Sequence, residues 1–276
     1  MAVEMLSYID RQSPVHRLTG GTKLLCLLFW SSAAMMTYDT RILIFLVLAS
    51  VWIFAISKIK LKEIAFVLIF IMLFLLINSI AIYIFSPQEG VEIYGTSHVL
   101  FELGGRYNVT LEELFYLFNV NMKYFAVIPA AILFIVTTNP SEFAASLNRI
   151  GISYRISYSV ALALRYIPDI QRDFRNIALA QQARGIDLSR KEKLAKRIKN
   201  AGSIIVPLIL SSLDKIEIIS NAMELRAFGK NNKRTWYRAR PFQKIDYVTL
   251  TLFVIMLLIT IFITFHDGNR FYNPFV

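Results

Sequence analysis

The chain has 276 residues, 56% of them hydrophobic and only 18% charged, with a mean hydropathy of +0.52. Soluble domains of this size are rarely so apolar, whereas several membrane spans account for the figure. The net charge of +11 sits in one place: residues 139–246 carry 20 Lys and Arg against 9 acids, and the remainder is balanced. Nucleic-acid binding is the first reading of a basic segment, but the positive-inside bias of membrane proteins explains it more economically, so no nucleic-acid partner is expected. One cysteine, Cys26, excludes an internal disulfide framework and a cysteine-based metal site.

The N-terminus opens with mixed polar residues and its first apolar run leads into further spans, unlike a cleavable signal peptide. Five apolar stretches read as membrane-spanning helices, at 24–37, 42–57, 64–85, 120–138 and 247–265. A hydrocarbon core of ~30 Å needs about 20 helical residues. The last three satisfy this; the first two are short and form a tight hairpin through Tyr38-Asp39-Thr40-Arg41. Pro129 lies inside the fourth, where a neighbouring helix is expected to satisfy the freed carbonyl. The spans otherwise read as nearly free of charge, with Asn78-Ser79 in the third as the polar exception.

Loop charges fix the orientation. Arg11, Arg17 and Lys23 precede the first span, and Lys58, Lys60 and Lys62 join the second to the third. Both groups belong inside. The connection 86–119 carries five glutamates, including Glu112 and Glu113, against Arg106, and belongs outside. Within it Thr110 and Glu113 have capping-box spacing, predicting a helix that runs into the fourth span. This order makes 139–246 cytoplasmic and places Phe271-Tyr272-Asn273-Pro274 outside. The fold class is therefore all-α, a polytopic membrane protein of about five spans. Three parts follow: a four-span region 1–138, a basic cytoplasmic region 139–246, and a closing span with external tail, 247–276.

The basic region reads as amphipathic helices. Asn139-Pro140 stops the fourth span, and a helix from Ser141 carries Phe143, Leu147 and Ile150 on one face and closes on Gly151. A second is expected to begin at Pro168-Asp169 and end at Arg184-Gly185. Residues 188–200 form the densest charge run, read as a solvated helix or a surface against anionic headgroups. A third helix, 203–228, is expected to close on Gly229.

Two arginines stand out, in Gln182-Ala183-Arg184-Gly185 and in Glu224-Leu225-Arg226-Ala227-Phe228-Gly229. A cation in a last helical turn interacts favourably with exposed carbonyls, worth roughly 0.3–1 kcal/mol, and that preference alone can place arginines there. Alternatively, arginine's planar fork suits a groove lined by carboxylates or carbonyls, so the two ends would dock on a partner.

Residues 178–185 and 221–229 resemble the two signature motifs of the transmembrane T components of energy-coupling factor (ECF) transporters. The likeness extends to Leu164-Arg165-Tyr166-Ile167-Pro168 and to Ser13-Pro14-Val15-His16-Arg17-Leu18 with Lys23-Leu24-Leu25. Where many members have Asp-Pro-Arg, this chain has Thr19-Gly20-Gly21. The resemblance implies a non-catalytic subunit of an ATP-driven micronutrient importer in a bacterial or archaeal plasma membrane. Its partners would be two ABC-type ATPases, or one fused tandem, and a small membrane S component that captures a vitamin or metal ion. Ala183, Arg184, Gly185, Leu225, Arg226 and Ala227 would dock on the ATPases. Phe174, Ile177, Ile204, Ile205, Leu208 and Ile209 would face the S component.

No catalytic, cofactor or metal residues are expected. There is no Walker-type glycine loop, and His16, His98 and His266 are scattered. Asp169 with Asp173 and Asp214 with Glu217 have basic neighbours and read as surface ion pairs. The alternative is a secondary transporter or channel working without ATPases, which would need ionisable residues inside the spans.

Overall fold

The computed structural model describes residues 11, 13–102, 107–186, 194–231, 235–236, 240–266 and 270–275. Among the described residues the chain is all-α apart from one small hairpin, and it divides into two compact units. One comprises Met1–Asn139 with Arg240–Val276; the other is Pro140–Ala239.

In the first unit, α1 (Pro14–Arg17) leads to α2 (Gly20–Met36), capped by the Thr19 side chain, which accepts from Thr22 N–H. The turn after α2 supplies Asp39, whose carboxylate accepts from Arg41 N–H at 2.9 Å and starts α3 (Thr40–Ile56). Then come α4 (Leu61–Phe85), α6 (Leu111–Thr137) and α10 (Lys244–His266), separated by elements described below. All five apolar stretches thus form helices. Three are long and apolar enough to cross a membrane, in 64–85, 111–137 and 244–266. The other two have 17 residues each, roughly 25 Å of helix, a little under the hydrocarbon thickness.

The core is built where α2, α3, α6 and α10 meet. Ala33 and Ala34 of α2 are fully buried, and Trp30, Ala34, Leu46 and Ala126 pack together. Small side chains let helices approach closely in an apolar solvent, where dispersion rather than water exclusion drives association. Near Pro129 a neighbouring helix bonds to α6, though not at the carbonyl the proline frees. Proline removes the donor to the carbonyl four residues back, Phe125. The Trp30 indole donates to the adjacent carbonyl, Ala126, at 2.8 Å. α4 keeps a broad apolar face exposed, including Phe66, Ile69, Phe70 and Leu73.

The connection 86–119 is folded. α5 (Glu89–Tyr94) packs on the start of α6, and β1 (Val99–Phe101) pairs antiparallel with β2 (Val109–Thr110). Thr110 caps α6 as its sequence spacing predicts, accepting from Glu113 N–H. The reciprocal half of the box is used differently: Glu113 Oε2 accepts from Gly90 N–H at 2.8 Å. Glu112 accepts from His98 N–H and Thr96 Oγ1, and its Oε1 lies 2.6 Å from His98 Nδ1. A Cβ on Gly90 would sit 2.4 Å from the Glu112 carbonyl oxygen, so the two helices touch backbone to backbone.

The C-terminal tail returns to this same end. Phe271 bridges to Tyr38, and Asn273 Nδ2 donates to Tyr94 O. Arg270 donates to the Met35 and Met36 carbonyls at the end of α2, and Lys123 Nζ also reaches Met35 O at 3.2 Å while lying 3.0 Å from the Tyr38 ring centre. Lys123 is buried within α6, which corrects the expectation of nearly charge-free spans. Its ammonium is satisfied by helix-end carbonyls and an aromatic face, both favourable settings for a cation. At the opposite end, Lys23 donates to Thr137 O at 2.7 Å, and buried Asp246 accepts from Thr19 N–H and Gln243 N–H.

Candidate partner-docking site

Among its described residues, the unit Pro140–Ala239 holds three helices. α7 (Pro140–Arg149) ends as expected, with Gly151 at φ 102° and Ile152 N–H bonded to Leu147 O. α8 (Tyr154–Ala183) is 30 residues long, capped by Ser153, and runs straight through Pro168. That corrects the expected start at Pro168: the helix is already under way from its Ser153 cap, and the proline removes one hydrogen bond without ending it. α9 (Leu194–Leu225) starts earlier than expected, within the charge run, of which residues 187–193 lie outside the described residues.

The two long helices are antiparallel. Gln181 Nε2 donates to Ser203 O at 3.0 Å, Lys215 pairs with Asp173, and Arg155 Nη2 donates to Gly229 O at 3.0 Å. As one helix descends, its partner ascends. Arg172 lies 3.5 Å from Asp169, a surface pair as the sequence indicated.

Both arginines occupy the same structural position, the residue that caps a helix C-terminus. At the end of α8, Gly185 N–H donates to Gln182 O and Ile186 N–H to Gln181 O. At the end of α9, Ala227 N–H donates to Glu224 O and Phe228 N–H to Met223 O. Each is the paired 5→2 and 6→1 pattern of a Schellman cap, with the residue after the arginine left-handed. That residue is Gly185 at φ 81° in the first case and Ala227 at φ 51° in the second. The expectation that Gly229 closes the second helix is therefore corrected. Gly229, at φ 91°, belongs to a further turn held by Arg155.

The tips lie at opposite ends of the pair. The second packs beside the start of α8, where the Phe228 ring lies 5.4 Å from Tyr154 and 4.8 Å from Tyr158. Trp236 joins Tyr158 at 6.3 Å and donates to Asn148 Oδ1. The first tip lies at the far end of α8, and a 30-residue helix is roughly 45 Å long. Sequence reading missed Arg155 and its aromatic neighbours; the available signal was Tyr154, Arg155 and Tyr158 clustered one turn into a helix.

Ala183, Arg184, Gly185, Leu225, Arg226 and Ala227 are all exposed, and Leu225 is 89% exposed. Of the residues expected to face a membrane partner, Phe174, Ile205 and Ile209 are exposed, Ile177 and Leu208 are half-buried, and Ile204 is buried. Ile204, at 2% exposure, is not offered to a partner in this conformation. Leu162, Tyr166 and Ile170 of α8 and Ile216, Ile219 and Met223 of α9 line a groove of about 380 Å3 between the helices.

Residues 11–237 match the family described as cobalt transport protein, CbiQ. Among curated proteins the chain is similar to the energy-coupling factor transporter transmembrane protein EcfT of Bacillus selenitireducens, 28% identical over 256 residues, covering 90% of this chain and 92% of that protein. The EcfT of Exiguobacterium sibiricum is 26% identical over 265 residues, covering 93% and 95%. That of Staphylococcus aureus is 27% identical over 203 residues, covering 71% and 72%.

Proposed function

The chain belongs to the cobalt transport protein (CbiQ) family, that of the transmembrane protein EcfT of energy-coupling factor transporters, and from this we propose that it couples two ABC-type ATPases to a small membrane S component carrying a vitamin or metal ion. The ATPases are two chains or one fused tandem. Chemistry stays on them, and this subunit carries force. The observation that bears most weight is the repetition of one cap geometry, an exposed arginine followed by a left-handed residue, at both ends of a single antiparallel helix pair.

A helix transmits motion only if its tip is held. Arginine stays charged when buried in an interface and offers a fork of donors to carboxylates and carbonyls. Two tips roughly 45 Å apart would each engage one ATPase, and closure of the ATPases on ATP would move the tips together. The exposed apolar residues Phe174, Ile205 and Ile209, with half-buried Ile177 and Leu208, would carry the S component and shift with the helices. In this reading the basic unit faces the cytoplasm of a bacterial or archaeal cell, and the Tyr38 turn and C-terminal tail face outward.

Buried Lys123 gives no support to an ATPase-independent carrier, since its ammonium is committed to Met35 O and the Tyr38 ring. The test is Arg184→Ala with Arg226→Ala. Interface arginines of this kind are worth about 2 kcal/mol or more, roughly 30-fold in affinity each. The double variant should insert normally, lose ATPase copurification and support no ATP-dependent uptake. Copurification and uptake that both persist would refute the proposal.

A further inference from the structure

A second binding site lies in the other unit. α1, α2, α3, α6 and α10 enclose a cavity of about 290 Å3, lined among others by Val15, Cys26, Trp30, Trp52, Leu133 and Thr137. Its walls are overwhelmingly apolar. Trp30 is 3% exposed, whereas Trp52 is 67% exposed on the outer surface of α3, so the cavity runs from the surrounding medium into the helix core. The same surface carries Phe45, Leu48 and Val51, all exposed, and reads as lipid-facing. The opening therefore faces hydrocarbon and not water.

Three observations identify what fits. The wall is apolar and continuous with the lipid-facing surface, which suits an acyl chain and excludes a polar solute. At the end of α6, where Lys23 of α2 also reaches it, the Thr137 hydroxyl in the lining is buried with no hydrogen-bond partner among the described residues, a donor that an ester oxygen next to the headgroup would satisfy. Cations stand beside the lining. Arg17, between the lining residues Val15 and Leu18 of α1, and Lys58, two residues after the lining residue Ile56, are exposed, and Arg11 donates to Lys58 O, which ties the N-terminal segment to the end of α3. We propose that this cavity binds one chain of an anionic phospholipid, with its phosphate held by Arg17 and Lys58. The proposal rests on the membrane-embedded fold and is independent of the ATPase-coupling reading.

The protein, with whatever subunits copurify, is placed in nanodiscs of phosphatidylcholine containing phosphatidylglycerol with brominated chains. Bromine quenches indole fluorescence at close range. Trp52→Phe with Trp236→Phe leaves Trp30 as the sole emitter of the chain's three tryptophans, within this subunit. Repeating the measurement, with and without bromine, on the same complex that also carries Trp30→Phe and subtracting it isolates the Trp30 signal from tryptophans of other subunits. Trp30 should be quenched strongly, and Cys26→Leu, which fills the cavity, should abolish most of that quenching while melting temperature is retained. Native mass spectrometry should show about one phosphatidylglycerol retained per chain. Arg17→Gln and Lys58→Gln should each lower the preference over phosphatidylcholine roughly fivefold. Quenching of Trp30 that is absent, or unchanged by Cys26→Leu, would overturn the proposal, as would equal retention of the two lipids or occupation of the cavity by a protein side chain from a copurifying subunit.

Discussion

Ala227 shows how a single residue separates what a sequence says from what a backbone does. Glycine is the usual residue for the left-handed position after a helix, and Gly229 stood ready two residues later. The chain instead closes α9 on Ala227 at φ 51°, a conformation costing an L-residue roughly 1–2 kcal/mol. Gly185 performs the same task at the end of α8 without that cost. Ala227→Gly should therefore slow hydrogen exchange in the last turn of α9, stabilising it by up to about 1 kcal/mol. Gly185→Ala should weaken the end of α8 by a similar amount; a Cβ there meets nothing within 4 Å, so the effect is conformational alone. Both arginines were legible from sequence because glycines follow them closely. The equivalence of their cap positions was not, because an alanine in a left-handed conformation leaves no trace in residue type.

Gly90 makes the opposite case. Its added Cβ would fall 2.4–2.6 Å from the backbone of Glu112 and Glu113, which cannot yield as a side chain would. Gly90→Ala should therefore separate α5 from α6 and break the Gly90–Glu113 bond, costing about 2 kcal/mol or more and lowering the melting temperature by several degrees.

Among the elements, those announced by long apolar runs were legible: α4, α6 and α10 lie where hydropathy put them, and Thr110 marks the start of α6. The misses have physical causes. Pro168 reads as a helix start, but α8 begins at Tyr154, after its Ser153 cap, and runs on through the proline. The connection 86–119 has no long periodic segment, so nothing local foretold that Glu112 and Glu113 would be fully buried receivers for His98, Thr96 and Gly90. Long-range partners, at sequence separations of 14 to 23, decide that fold. Lys123 was overlooked for a related reason: the carbonyls it serves belong to α2, far away in sequence.

Arg155 belongs to this scale as well. It ties the second tip to the start of α8, and Tyr154, Tyr158 and Trp236 surround Phe228. Arg155→Ala should raise hydrogen exchange across 226–231 by roughly fivefold, the loss of about 1 kcal/mol from one charge-assisted bond, and leave 180–186 unchanged. Equal changes at both tips would mean that Arg155 supports the whole helix pair.

At the scale of the whole molecule there are two units: an apolar one braced by cations at helix ends, and a basic one whose two exposed tips share one geometry. Rigid bracing at Lys23, Lys123, Arg270 and Asp246 suits a frame that must not yield under load. Long antiparallel helices suit a lever. The central claim is that the two tips dock on motor subunits, and proximity tests it most directly. A photo-activated crosslinking residue placed at Ala183 or at Leu225, in the full complex in native membranes, should trap the same class of nucleotide-binding chain from both positions. The yield should change when ATP is trapped on that chain. Crosslinks from both positions confined to lipid, or to proteins without a nucleotide-binding site, would contradict the account.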